Sequence, residues 1–497
     1  MNIINHASMK KTLYYLRRNG MKNTCCAVLE RLEERKKPQY RWVPPTPEEL
    51  ARQRRECGLL TEAAVTFSIV VPCYRTGKRY LLEMIDSVRS QTYPRWELIL
   101  ADATEDDSVG RVARAVKDDR IRYIKLGKNG GIAENTNRGI ELAVGDYVGL
   151  LDHDDLLTED ALYEMWRDIE DGISRGVDPK LLYSDEDKFS GDADREYYEL
   201  NKKEDFNLDL LLSNNYICHF MVMEKELIQA LLMRGEYDGS QDYDLTLRAA
   251  EKLTGREEKI IHVQKVLYHW RCHASSTAEN PQSKRYAYEA GRRAVQDFAD
   301  RQGWRVKAVD TPHLGFYRLK YRHNPFEARR DVGVVGGPLF SRGWTTLHFR
   351  FHDKAIYLTR KPLFRRSRIV GGRLKGDGTV YYEGLPKGYS GYLHRAALSQ
   401  DAEAVDIRNI RVRKELWPLF RDIVGVPWRT VSGKEIFDVS TLPKGTDIKA
   451  VSIAFGRAVR DAGYRILYLP ECARELGMTR RGKTRKNGKS NGCYTQL

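Results

Sequence analysis

Asp152, His153, Asp154 and Asp155 follow directly on the apolar run Val148–Leu151, in the stretch VGLLDHDDLL. Three carboxylates this close repel one another and raise each other's pKa. A cation, solvent or helix N-termini must compensate. Mg2+ or Mn2+ takes one or two carboxylates and shares its remaining positions with substrate phosphates. It then neutralises charge that builds on a diphosphate leaving group. Further acids stand at Asp102, directly after the run ELILA, and at Asp242 and Asp244 in SQDYDLTLR. One of that last pair can serve as an N-cap. A carboxylate at a helix start can also deprotonate a hydroxyl.

The elements around these acids have a simple rhythm. FSIVV, ELIL, IRYIKL and YVGLL are short apolar runs recurring about every 25 to 30 residues. Between them lie helix-like segments, one carrying Leu81, Leu82, Ile85 and Val88 at helical spacing, another reading GIAENTNRGIELAVG. That alternation predicts βαβ units and a parallel sheet covered on both faces. Ligands bind such sheets outside the carboxyl ends of the strands, where Asp102, Asp152 and Asp154 stand.

Several α/β chemistries are excluded. The turn after the first strand is PCYRTGK, without the GxGxxG of a dinucleotide site. No GxxxxGK[ST] phosphate loop is present, and GKNGG has the wrong order. An aspartyl phosphatase would carry its acids on an early strand, whereas this pair follows the fourth run. A sugar nucleotidyltransferase would show a Gly-rich, basic signature after the first strand, which PCYRTGK fits poorly.

The bulk composition sets the frame. The chain has 497 residues, enough for two or three domains. Hydrophobic residues make up 41%, which suits a folded protein and argues against global disorder. No secretory signal is visible and no stretch approaches the ~18 apolar residues of a membrane span. The expected location is the cytoplasm, with peripheral contact at the inner face of the cell membrane. Eight cysteines without CxxC spacing read as reduced thiols. The net charge of +15 favours polyanions such as nucleotide phosphates or anionic lipid. Nucleic acid is not expected, since no basic recognition helix or RNA-binding aromatic motif accompanies that charge.

The stretches FSIVVPCYRTGKRYLLEMIDSVRSQTYPRWELILAD, GGIAENTNRGIELAVGDYVGLLDHDD, YSDEDKF, NYICHF, YDGSQDYDLTLR and VLYHWRCHASSTA occur in that order between Phe67 and Ala278. Together they resemble a family 2 glycosyltransferase with the GT-A fold. The likeness is to the bacterial branch that builds cell-surface polysaccharides, including rhamnose-rich ones. The resemblance implies that Pro72, Tyr74 and Asp102 hold the nucleotide base and ribose. It puts Asp152 near the sugar nucleotide, Asp154 on the metal, Asp242 in the place of the catalytic base and His273 at the metal, with Arg271 near the diphosphate. It also implies a single displacement that inverts the anomeric centre. The chain departs from the family pattern at Ala101–Thr104, where two adjacent acids followed by Gly-Ser are usual.

Plainer roles stand beside these. Asp102 could cap a helix, and Asp155 could cap a helix starting near Leu157 or support the metal ligands. His273 could hydrogen-bond in the metal's second sphere, His269 could pack beside Trp270, and His153 could be a solvated spacer. Asp185, Glu186 and Asp187 could bind sugar hydroxyls on the acceptor side or form an acidic loop.

The remainder divides by composition. Residues 1–64 read as a basic helical lead-in, with Pro44, Pro45 and Pro47 stopping one helix and Thr46 capping the next. Residues 65–305 are the expected transferase domain. Residues 306–478 carry Gly-punctuated strand signals and end in TDIKAVSIAFGRAVRDAGYRILYLPECA, which resembles the closing part of a second such domain. Ser452 and Ala454 stand where its acids would be, so this part is expected to be a degenerate transferase-like or α/β accessory domain. Residues 479–497 form a basic tail expected to be disordered, able to attract anionic lipid headgroups. The expected function is metal-dependent glycosyl transfer from a UDP-, dTDP- or GDP-sugar to a glycan or lipid-linked glycan. The alternatives are a catalytically inactive scaffold with a transferase fold, or a sugar nucleotidyltransferase.

Overall fold

The computed structural model describes residues 6–36, 38–62, 64–191, 194–272, 285–322, 324–341, 350–352, 355–357, 367–425, 428–431, 434–437 and 442–476. His273 and the tail 479–497 lie outside the described residues. The chain forms two compact units. One comprises Pro38–Gly303 with Ala308–Tyr317; the other comprises Met1–Lys37, Trp304–Lys307 and Arg318–Leu497.

Helix α1 (His6–Glu34) belongs to the second of these units. The first unit begins with α2 (Pro47–Cys57), β1 (Phe67–Cys73), α3 (Lys78–Arg89), β2 (Trp96–Asp102), α4 (Ser108–Ala115), β3 (Ile121–Lys125), α5 (Ile132–Glu141) and β4 (Tyr147–Leu150). It continues with β5 (Leu156–Leu157), α6 (Ala161–Ser174), β6 (Leu181–Ser190), β7 (Glu196–Asn201), α7 (Leu208–Leu211), β8 (Met221–Glu224) and α8 (Lys225–Leu231). Helix α9 (Gln241–Lys252), strand β9 (Ile260–Arg271) and helix α10 (Arg285–Arg301) follow. Thr46 caps α2 as its sequence predicts: its hydroxyl accepts from Glu49 N, and the Glu49 carboxylate accepts from Thr46 N.

The α/β class predicted from the rhythm is the class observed. One sheet runs β3-β2-β1-β4-β8-β6-β9-β5, with β7 on the outer part of β6. The first four strands are parallel. Their apolar runs are buried because α3 and α4 cover one face and α5 the other. Phe67, Ile69 and Val71 of β1 share a core with Leu81, Met84, Ile85 and Val88 of α3 and Val109 of α4. On the opposite face α5 approaches β1 so closely that a Cβ on Gly139 would lie 2.4 Å from the Val70 side chain.

The sheet changes direction after β4. Strand β8 runs antiparallel to β4, with Leu150 opposite Met221. Strand β6 is antiparallel to β8, with Tyr183 opposite Met221, and parallel to β9, with Asp187 opposite His269. Strand β5 pairs with β9 through Leu156 and His269. This reversal places the end of β4 beside the start of β8 and the middle of β6 beside the end of β9. Residues just after Leu150 therefore meet residues just before Met221, and both meet the 185–187 and 268–271 stretches. A reversal of this kind is where open α/β sheets leave a ligand crevice.

In the other unit a four-stranded sheet has the order Gln400–Asp401, Arg465–Tyr468, Val332–Gly336, Ile410–Val412, its central pair parallel. Helix Ile448–Asp461 is capped by the Asp447 carboxylate, which accepts from Lys449 N at 3.0 Å and Ala450 N at 3.1 Å. Ser452 is buried; its hydroxyl accepts from Ile407 N at 3.1 Å and donates to Ile448 O at 2.6 Å. That hydroxyl is consumed in packing. Glu30 of α1 accepts from the Ser390 and Gly391 amides at 3.1 and 2.6 Å.

Candidate active site

The tips of β1 and β2 lie beside the point where the sheet reverses. The register sets Pro72 opposite Ala101 and Cys73 opposite Asp102. Strand β4 ends at Leu150, opposite Val70, so Pro72 stands past the last β1–β4 pair, where a missing N–H leaves that ladder intact. Asp102 is fully buried and its carboxylate is heavily hydrogen-bonded. It accepts from Thr104 N at 2.9 Å, Tyr123 Oη at 2.9 Å and Lys125 Nζ at 3.2 Å. Burial and the Asp102 carboxylate together push the Tyr123 phenol up. Tyr74 remains partly exposed and donates to Glu105 Oε1 at 3.0 Å.

The acid turn between β4 and β5 is held from β9. Asp155 is buried, accepting from Tyr268 Oη at 2.5 Å and Arg271 N at 2.7 Å. Arg271 Nε donates to the Asp154 carbonyl at 2.5 Å, and the Asp152 amide donates to Tyr268 Oη at 3.4 Å. Asp155 therefore supports the turn from behind, and the helix that follows starts only at Ala161, after β5. Burial, with Asp154 and Asp152 beside it, pushes the Asp155 carboxyl well above the usual range. Asp152 keeps 47% of its side-chain exposure. Its recessed place and the neighbouring Asp154 raise its pKa, while His219 opposes the rise. His153 Nδ1 is buried without a hydrogen-bond partner among the described residues.

Arg271 is itself buried, with its guanidinium between the rings of Tyr80 and Phe189, 4.5 Å from each centroid. A second arm donates to Glu83 Oε2 at 2.7 Å. The guanidinium thus ties α3 to the acid turn.

At the other end of the crevice, α9 begins with Asp242 and Asp244, whose surroundings differ sharply. Asp244 is buried and bonded to two arginines, Arg234 Nε at 3.0 Å and Arg248 Nε at 2.9 Å. Asp242 Oδ2 accepts from Asn215 Nδ2 at 2.8 Å and the Cys218 thiol at 3.4 Å. Both bonds fall on one oxygen. Burial above all pushes Cys218 up to about 12, so the thiol keeps its proton and donates. Asp242 is among the charges that raise Asp152, which brings the two ends into one electrostatic neighbourhood.

Asp185, Glu186 and Asp187 form part of a buried strand. Each meets a histidine: Asp185 Oδ1 with His262 Nε2 at 2.9 Å, Glu186 Oε2 with His219 Nδ1 at 3.2 Å, and Asp187 Oδ1 with His269 Nδ1 at 2.6 Å. Asp187 also accepts from Tyr40 Oη at 2.9 Å, and the Trp42 ring meets His269 edge-on at 4.5 Å. Burial alone would raise Glu186; the Lys203 ammonium and the His219 ring outweigh it and bring the carboxyl down to about 2. Burial likewise pulls the His219 imidazole down, but the Cys218 sulfur and the Glu186 carboxylate hold it well above the usual range. His219 lies in NYICHF, where the sequence alone assigns it no role. Period-two alternation along YSDEDKF, with Asp185 and Asp187 on one face and Glu186 on the other, was the available signal.

The donor chemistry suits a hard cation. Among the described residues no three His, Cys, Asp or Glu side chains converge on a metal-sized site. Two carboxylates at the crevice mouth, one half exposed, match an ion that takes its other oxygens from phosphates and water.

Residues 68–232 match the family Glycosyl transferase family 2. The chain is 42% identical over 273 residues to the Uncharacterized protein y4gI of Sinorhizobium fredii, covering 54% of this chain and 29% of that one. It is 32% identical over 315 residues to the O-antigen biosynthesis protein RfbC of Myxococcus xanthus, covering 59% of this chain and 24% of that one. The chain therefore spans under a third of the length of these curated relatives. Among solved structures, S. aureus TarS 1-349 in complex with UDP-GlcNAc aligns at 18% identity and a TM-score of 0.38, over 47% of this chain and 66% of that one. The βαβ sheet through β4, Phe67 apart, and the acid turn after it lie within residues 68–232, the part of the chain that matches Glycosyl transferase family 2.

Proposed function

We propose that this chain transfers a glycosyl group from a nucleoside-diphosphate sugar to a glycan in the biosynthesis of a cell-surface polysaccharide. The observation that carries the reading is the unequal treatment of the acids. Asp155 and Asp244 are buried and consumed by partners, whereas Asp152 keeps 47% of its side-chain exposure and Asp242 spends a single carboxylate oxygen on Asn215 and Cys218. The family match supports the reaction class, and the relative named for O-antigen biosynthesis supports the polysaccharide context.

In this reading Pro72, Tyr74 and Asp102 hold the base and ribose of a UDP-, dTDP- or GDP-sugar. Asp152 lies at the sugar end. Asp154, with His273, would hold Mg2+ or Mn2+, and that ion supplies charge neutralisation at the diphosphate when bound. Arg271 keeps the acid turn in place beside the diphosphate. Asp242 accepts the proton of the acceptor hydroxyl as that oxygen attacks the anomeric carbon. Attack opposite the departing diphosphate inverts the anomeric centre. Residues 65–305 act as the catalytic domain behind the lead-in 1–64. Residues 306–478 act as a degenerate partner domain, since Ser452 is tied into packing where an acid would be needed. The acceptor is a glycan or lipid-linked glycan, met at the cytoplasmic face of the membrane, where the basic tail touches anionic lipid.

The test is transfer by the purified full chain from a panel of UDP-, dTDP- and GDP-sugars with Mn2+, the product's anomeric configuration being read by NMR. Inverted linkage is expected. Retained configuration would overturn the single displacement, and failure of every nucleotide to bind by calorimetry would overturn the transferase reading itself.

A further inference from the structure

Between α7 and β8 the chain makes a short strap, Asn214 to Phe220, that crosses from the acceptor end of the crevice to the acid turn. We propose that His219 is a positioning residue which, through Cys218, fixes the carboxylate of Asp242 relative to the Asp152 turn; this rests on the glycosyl-transfer reading above.

The contacts form one chain. His219 Nδ1 meets Glu186 Oε2 at 3.2 Å, and His219 Nε2 meets Cys218 Sγ at 3.4 Å. Cys218 Sγ in turn donates to Asp242 Oδ2 at 3.4 Å. On the other side His219 Nε2 lies 4.0 Å from Asp152 Oδ2. The imidazole also stacks on the Tyr268 ring, centroids 4.6 Å apart and planes 9° from parallel. Tyr268 is the residue whose hydroxyl holds both the Asp152 amide and the Asp155 carboxylate. One ring therefore registers the acid turn twice, through Tyr268 and through Asp152, and reports its position to Asp242 through a single thiol.

The strap itself is pinned. Lys203, almost fully buried, donates to the carbonyls of Ile217 and His219 and lies 3.5 Å from Glu186 Oε2. A hydrogen-bonded ring held on two sides by a buried ion pair and a stacked phenol has little rotational freedom. With both ring nitrogens protonated, Nδ1–H donates to Glu186, Nε2–H points toward the Cys218 sulfur, and S–H donates to Asp242. Together with Asn215, this places both bonds on Oδ2 and leaves Oδ1 without a protein partner among the described residues, free to receive the acceptor hydroxyl.

Two measurements test this on the full chain. The first needs no turnover. Imidazole 15N NMR of His219, assigned by loss of its signals in His219→Asn, should shift at Nε2 in Cys218→Ala and again in Asp242→Asn. Unchanged Nε2 resonances in both variants would overturn the linkage, whether or not the chain proves to be a transferase. The second is donor hydrolysis with Mn2+, using the panel sugar the wild type turns over. His219→Asn keeps a donor for Glu186 and loses the Nε2 side. It should lower kcat about 10- to 100-fold, as removal of a group orienting a reactive residue typically does, with donor KM unchanged. Introduced into Asp242→Asn, the same substitution should lower kcat by no more than about twofold. An equal fall in both backgrounds, or a rise in KM with kcat intact, would show that His219 only packs the donor side. A wild type that binds no nucleotide would overturn the transferase reading, leaving the NMR result to decide the linkage.

Discussion

Arg271 Nε donates to the main-chain carbonyl of Asp154 across 117 residues of sequence, at 2.5 Å. The contact fixes the acid turn from the last residue of β9, while the guanidinium is sandwiched between Tyr80 and Phe189. A lysine cannot reproduce both a planar stack and a forked donor. Arg271→Lys should therefore cost about 2 kcal/mol, the loss expected for a desolvated cation–π contact, read by urea unfolding. It should also weaken donor turnover. Full retention of both would mean that the turn holds itself.

Asp242 and Asp244 should separate cleanly. Asp244→Asn removes the charge that pairs Arg234 and Arg248, and breaking a buried pair costs about 3–5 kcal/mol. Asp242→Asn should leave the unfolding midpoint within experimental error while lowering turnover about 100- to 10,000-fold. Thermal melts and donor hydrolysis on the two variants check both halves.

The Glu186 carboxyl is held down to about 2 from an ordinary 4.5. Below 4.5 the unfolded chain binds this proton and the native chain does not, so stability falls as pH falls toward 2. Glu186→Gln should make the stability–pH slope shallower by up to about 1.4 kcal/mol per pH unit in that window. Urea unfolding between pH 5.5 and 3.5 measures it; identical slopes would mean that Glu186 is not ionised and paired as described.

Asp102 accepts three bonds at the tip of β2, from Thr104, Tyr123 and Lys125. Its proposed role is at the nucleotide. A lost hydrogen bond to a charged group is worth about 1.5–3 kcal/mol, so Asp102→Asn should raise the Kd for the matching nucleoside diphosphate about 10- to 100-fold. Calorimetry with UDP, dTDP and GDP reads the change; unaltered affinity would place the base elsewhere.

Much of the fold was legible in the sequence because local signals carried it. Apolar runs such as FSIVV and ELIL can be buried on both faces only in a helix-covered parallel sheet, and Thr46 with Glu49 is a local capping pattern. The acid turn was legible because an apolar strand ending in carboxylates is conspicuous. Its supports were not. Asp155 meets Arg271, Glu186 meets His219 and Asp187 meets His269 only because β6, β8 and β9 lie side by side in a particular order, with register shifts near Asp185 and Glu186. No short-range pattern encodes that order. The choice between Asp242 and Asp244 rested on motif register in the sequence; the burial of Asp244 against two arginines supplies a physical reason for it.

The most direct measurement pairs nucleoside-diphosphate release with nucleotide binding for the wild type, Asp154→Ala and Asp242→Asn, using the sugar donor panel and Mn2+. The account predicts metal-dependent release of one nucleoside diphosphate by the wild type. Release should be lost in Asp154→Ala and fall about 100- to 10,000-fold in Asp242→Asn, with nucleotide binding retained by Asp242→Asn. Undiminished release by Asp242→Asn would contradict it, because the crevice would then work without the carboxylate that Asn215 and Cys218 hold in place.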